Sequence, residues 1–172
     1  MGEKLDVVDE NDNVIRTEER EAVHSTNAWH RQAHIFIFNS KGEMLVQLRS
    51  PDKDRFPGTL EGSMTEHVRA GESYEEAAAR GLKEEFGINI PLKELLHFRI
   101  EYSPNERVIG KLFEGNYDGE VKLSEETVNV RFMNENQLKE LLEKSPHKLA
   151  PWFIENLKWK LGLPHNLHIF TK

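Results

Sequence analysis

The chain has no cysteine, so disulfides and thiolate chemistry are both excluded. It has no apolar run near the ~18–20 residues of a membrane span. Its opening, MGEKLDVVDEND, is acidic and lacks a basic-then-apolar leader. Positive charge is also in deficit: the formal net charge is −7. An acidic surface disfavours a nucleic acid polymer as partner. No internal repeat or low-complexity linker interrupts the chain. These absences imply a cytoplasmic protein that works neither on a membrane nor on a nucleic acid. A small phosphorylated ligand stays within reach, because a metal and a few local cations reverse the sign inside a cleft.

What is present suits a folded domain. The 172 residues are 37% hydrophobic and 31% charged, enough for one core. LDVVDENDNVIRT (5–17) reads as two extended pieces around an Asn/Asp turn, and 18–24 as a short helix. RQAHIFIFNSKGEMLVQLRS (31–50) reads as a hairpin turning at Asn39-Ser40-Lys41-Gly42. Residues 51–66 are loop and short strand. A helix is predicted from Glu72 to Phe86, with Ser73 and Glu76 as a capping box and Gly87 as its stop. Strands follow at 95–102, 107–117 and 127–133, then helices at 136–144 and 150–162. This order predicts an α/β (α+β mixed) fold, a mixed sheet flanked by helices. We expect a single domain over 1–172, with an N-terminal extension to about residue 30, a core over about 31–135 and C-terminal helices over about 136–163.

The helix at 72–86 is rich in carboxylates. Glu72, Glu75 and Glu76 open it; Glu84 and Glu85 close it. Position 81 shares their face, three and four residues back, yet holds glycine. Mg²⁺ combines one or two carboxylates with waters and substrate phosphates, so Glu84 and Glu85 are candidate ligands. A solvated acidic face is the plainer reading of such a helix taken alone. A cation-bearing loop with Arg49, Lys53 and Arg55 precedes it, out of character for a chain of charge −7.

The loop HVRAGES, Arg80 and the ending EEFGI together resemble the Nudix box: Gly, five residues, Glu, seven residues, Arg-Glu-aliphatic-any-Glu-Glu-any-Gly-aliphatic. Glu72, Arg80, Leu82, Glu84, Glu85, Gly87 and Ile88 match at the family's spacing. Two positions depart: Glu66 stands at the first Gly and Gly81 at the first Glu. The resemblance implies a Nudix-like sandwich, with Glu85 and Glu84 holding Mg²⁺ or Mn²⁺ and Glu72 bracing Arg80. Glu66, taken as a loop residue facing the helix, is a candidate replacement for the carboxylate missing at 81.

A wider resemblance covers most of the chain. LDVVDENDNVI, VHSTNAWHRQAHIFIFN, LVQLRSPDKDRFPGTLEGS and APWFIENL are similar to the Nudix branch that holds type 1 isopentenyl diphosphate isomerase and its hydrolase-like relatives. That branch also lacks the first box Glu. The resemblance assigns His24, His30, His67 and Glu106 to a metal, Arg49 and Lys53 to a diphosphate, and Trp152 to the substrate pocket. Thr65 falls where the isomerase has its catalytic cysteine, and Val108 where it has a second glutamate. Isomerisation needs an acid and a base on opposite faces of an allyl unit, and neither residue supplies one. The expectation is a metal-dependent hydrolase of a small nucleoside- or isoprenoid-diphosphate-like substrate. The alternatives are an altered isomerase and a diphosphate-binding sensor. Nothing in the residues sets the oligomeric state, and a homodimer stays open.

Overall fold

The alternating run WHRQAHIFIF forms the central strand β3 (Trp29–Phe38) of the computed structural model, which describes residues 2–102, 106–125 and 127–171. β-branched and aromatic residues suit a pleated strand packed on both faces. Successive side chains point to opposite sides. Ala33, Ile35 and Ile37 enter one core; Phe36 enters the other.

One edge of β3 pairs in parallel with β8 (Glu106–Asn116). β8 carries antiparallel β7 (Lys93–Tyr102), and β7 carries β10 (His168–Ile169). The other edge is shared by three strands. β1 (Lys4–Val8) pairs at His30, β6 (Met64–His67) from Gln32 to Ile35, and β4 (Met44–Arg49) at Phe38. β2 (Val14–Glu19) extends the sheet beyond β1. Residues 4–25 are therefore sheet and helix within the fold, with Leu5, Val7 and Val23 packed together.

The expected hairpin over 31–50 forms only at its tip. After Phe38↔Met44 the strands part, and β4 pairs with β5 (Leu60–Gly62) and β9 (Thr127–Met133). The reason is competition: β6 and β1 take the backbone groups of β3 that β4 would have used. The described strands thereby form one branched sheet, in which β4 carries β5 and β9 off the main path.

Helix α2 (Tyr74–Phe86) begins at Ser73, whose Oγ accepts from Glu76 N at 3.0 Å, while Ser73 N donates to Glu76 Oε2 at 3.2 Å. It ends at Gly87, φ 66°, in the left-handed region that glycine enters without strain. Glu72 lies ahead of the cap, not in the first turn, and its carboxylate turns back toward the loop. Ala77, Ala78, Leu82 and Phe86 pack on one face of β3. Helices α3 (Glu135–Lys144) and α4 (Pro151–Lys160) cover the other face, and α1 (Arg20–Ser25) precedes β3. The short 3-10 turn at Pro146–Lys148 and strand β10 have no counterpart in the sequence reading. Among the described residues no helix is long and apolar enough to cross a membrane.

Candidate metal centre

Strand alternation and register bring distant residues to one face. His30 lies on β3, His67 on β6 opposite Gln32, and Glu106 at the start of β8, with His24 supplied by α1. One ring nitrogen from each of His24, His30 and His67 lies within 4.8 Å of the others. Glu106 Oε1 is 3.3 Å from His24 Nε2, and Oε2 is 3.4 Å from His30 Nε2.

The three Nε2 atoms and Glu106 Oε2 are buried and make no hydrogen bond within the described residues. Buried polar atoms nearly always find partners, so four unpaired donor atoms gathered together are a set that a cation would satisfy. His30 Nδ1 lies 3.0 Å from Ala28 O. A carbonyl only accepts, so Nδ1 carries the proton and Nε2 turns its lone pair inward, the usual arrangement of a metal-binding imidazole. Burial lowers His24 to about 4, helped by the charges of Arg55 and Arg20. Burial lowers His30 to about 4 against the pull of its bond to Ala28. Burial also holds His67 well below its ordinary value. All three are neutral at neutral pH, the form that binds metal. Burial raises Glu106, opposed by Arg55 and Arg20. This donor set fits a divalent ion.

A cleft of about 380 Å³ opens onto His24, His67 and Glu106, with His30 fully buried beside them. Its walls carry Arg20, Lys53 and Arg55, with Glu85, Tyr102 and Trp152 also at its border. Arg49 borders it too, but its guanidinium is engaged by the protein. It pairs with buried Glu61, donates to Arg55 O at 2.9 Å and Phe56 O at 3.3 Å, and sits 5.2 Å over the Trp152 ring. Arg49 thus braces the 50–58 loop, a role that its expected work on a diphosphate leaves out. Phe56, at φ 47°, packs between Trp152 and Tyr102.

The carboxylates around α2 form a separate group. Arg80 meets Glu72 through Nε at 2.8 Å and Nη2 at 3.0 Å, and Nη2 also donates to His67 O at 3.0 Å. Arg80 Nη1 is 3.5 Å from Glu66 and 3.6 Å from Glu84. Glu66 is a strand residue of β6, not a loop residue. Alternation sends it toward α2 while Thr65 and His67 face the cleft, although it also borders the cleft's rim. Glu84, 56% exposed, borders a neighbouring groove and not the histidine cleft; Glu85 borders both. The sequence-predicted ligands therefore fall into a histidine–Glu106 set and an Arg80-centred set, with Glu85 between them.

Gly81 lies against β6. A Cβ there would stand 2.7 Å from Met64 Cε and 3.2 Å from Glu66 Cβ. Val108 is fully buried in the α4-side core beside His30, and Thr65 Oγ1 is 3.4 Å from His34 Nδ1. Sequence reasoning assigned no role to Arg20, Glu61 or Tyr102, and none to Arg55 beyond its place in a cationic loop. α1 brings Arg20, β7 brings Tyr102 and the folded loop brings Arg55 to the cleft, while Glu61, buried on β5, pairs with Arg49.

Comparison with known proteins identifies the family. The family model for the NUDIX domain matches residues 28–153. The chain is 32% identical to isopentenyl-diphosphate Delta-isomerase 2 of Photorhabdus laumondii, over 89% of either chain. It is 35% identical to an uncharacterized Nudix hydrolase of Yersinia pestis, over 74% of this chain and 70% of that one. In three dimensions it resembles DR0079 of Deinococcus radiodurans, with TM-score 0.70 and 25% identity over 86% of this chain and 91% of that one.

Proposed function

Because the chain belongs to the Nudix superfamily, in its isopentenyl-diphosphate isomerase-like branch, we propose that it is a metal-dependent hydrolase. It cleaves the diphosphate bond of a small nucleoside- or isoprenoid-diphosphate-like compound. One observation carries this reading: His24, His30, His67 and Glu106 converge at a cleft whose walls present Arg20, Lys53 and Arg55. That pairing suits a cation and a phosphorylated anion side by side.

Three imidazoles and one carboxylate suit Mn²⁺ or Zn²⁺ better than Mg²⁺, which prefers oxygen ligands. A divalent ion held there supplies Lewis acidity and lowers the pKa of a bound water. Lys53 offers a compact positive charge to the phosphate oxygens. Glu85, bordering the same cleft, accepts the proton of the attacking water at its carboxylate. Tyr102 and Trp152 give the organic group an aromatic wall. Arg80 acts at a distance, holding the His67 carbonyl and hence the histidine's strand.

Allylic isomerisation is the second reading, favoured by the isomerase relatives and by the histidine–Glu106 centre. Thr65 and Val108 weigh against it. A hydroxyl is a poor acid, and a core valine offers neither proton nor ligand. The test is phosphate release from a panel of diphosphates with Mn²⁺, Zn²⁺ or Mg²⁺, beside Glu85→Gln. Isomer formation from isopentenyl diphosphate is followed by NMR in parallel. Release that Glu85→Gln lowers at least a hundredfold supports hydrolysis. Isomer formation without release would replace it with the second reading.

A further inference from the structure

Glu106 has two kinds of partner at once. Its Oε1 is 3.3 Å from His24 Nε2 and 2.5 Å from Arg55 Nη2. The carboxylate is 2% exposed and the Arg55 side chain 25% exposed. A buried carboxylate needs a compensating charge. Arg55, at that distance, supplies it. Its backbone is pinned, since Arg55 O accepts from Arg49 and the adjacent Phe56 O accepts from Arg49 and from Thr59 Oγ1. Freedom is left to the side chain, which reaches Glu106 across the wall that also carries Lys53.

We propose that Arg55 stands in for the divalent ion at Glu106, and becomes a ligand of the substrate's anionic group once the ion takes that carboxylate. This rests on the metal reading above. The same Glu106 oxygen faces His24 and Arg55, so an ion between imidazole and carboxylate meets the guanidinium at short range. Like charges repel strongly in a partly desolvated cleft. The guanidinium turns into the cleft, where its planar fork matches two oxygens of a phosphate. The valine at 108 sharpens the competition: a second carboxylate beside His30 would let ion and arginine each have a partner, and here that position is hydrocarbon. Arg55 is thereby a binding residue that couples the cation site to the anion site.

The test uses the metal-stripped full chain and calorimetry. Mn²⁺ is titrated into wild type and Arg55→Gln without anion, and inorganic pyrophosphate is then titrated into each Mn²⁺-saturated protein. The expected result is opposite shifts: Arg55→Gln binds Mn²⁺ about tenfold more tightly and pyrophosphate about tenfold more weakly. Mn²⁺ affinity unchanged or weakened in the variant, or pyrophosphate affinity unchanged, overturns the role of Arg55 alone. Absence of saturable Mn²⁺ binding by wild type overturns the metal reading and this inference with it. A measurement on wild type covers a variant that fails to fold. In ¹⁵N spectra the Arg55 guanidinium rotates slowly while paired to Glu106, and Zn²⁺ is expected to release it. Slow rotation that persists with Zn²⁺ bound overturns the proposal.

Discussion

Arg80 holds the loop that leads from the histidine cluster to α2, and replacing it with methionine tests how much. The wild-type guanidinium makes two bonds to Glu72, at 2.8 and 3.0 Å, and one to His67 O at 3.0 Å. Its side chain is 15% exposed and that of Glu72 14%. A hydrogen bond to a charged group contributes about 1.5–3 kcal/mol, and an unpaired, largely buried partner adds its desolvation. The contacts to Glu84 count for little, since that side chain is 56% exposed. Bonds sharing one guanidinium do not add in full, so we expect Arg80→Met to cost about 3 kcal/mol at pH 7, a large share of a domain's ~5–15 kcal/mol. Arg80→Lys keeps the charge but loses the fork and falls between. The pH dependence has a definite sign. Burial would raise the Glu72 carboxyl, but the bonds from Arg80 and Arg69 N outweigh it and the net shift is downward. A depressed carboxyl stabilises above the ordinary value of 4.5 and loses that stability as pH falls through the folded value. The gap between wild type and Arg80→Met should therefore narrow below pH 4.5. Urea denaturation at a series of pH values measures it. A loss under about 1 kcal/mol at pH 7, or a gap that does not narrow, refutes the reasoning.

Two further outcomes follow from the same contacts. His24 and His30 titrate near 4 in the fold against 6.5 in an open chain, so acidification favours the unfolded state between those values. With metal chelated, stability should fall from pH 7 to pH 5 by up to about 2 kcal/mol for each of them; equal urea midpoints at the two pH values would contradict this. Restoring the box carboxylate by Gly81→Glu should destabilise the fold by about 1–3 kcal/mol through overpacking, because the new Cβ lands 2.7 Å from Met64 Cε. Met64→Ala in the same chain should recover part of that loss, and an unchanged thermal midpoint in Gly81→Glu alone would show that Met64 has room to move.

The periodic elements were legible because their causes are local. The Ser73–Glu76 capping box and Gly87 bound α2 as the sequence predicts, and the β-rich run from residue 31 reads directly as a strand. The hairpin at 31–50 misleads for a non-local reason: its turn is genuine, but β6 and β1 arrive from elsewhere in the chain and claim the edge of β3. The box residues show the same division. Glu72 and Arg80 are eight apart and meet as expected. Glu66, a candidate stand-in for the missing carboxylate, comes to lie beside position 81 only through β6, which also gives it Arg80 as a partner.

By itself the sequence carried the family resemblance and the carboxylate helix, because the box residues keep their spacing along one chain, while the candidate histidines came only with that resemblance. The tertiary structure decided which of these residues share a site. Parallel pairing of β3 with β8 sets Glu106 near His30, and α1 carries His24 to them. The fold also engages Arg49 in bracing a loop, and it delivers Arg55, four residues past Pro51, to Glu106. A charge acts on whatever lies within a few ångströms of it, and that neighbourhood exists only once the strands have paired.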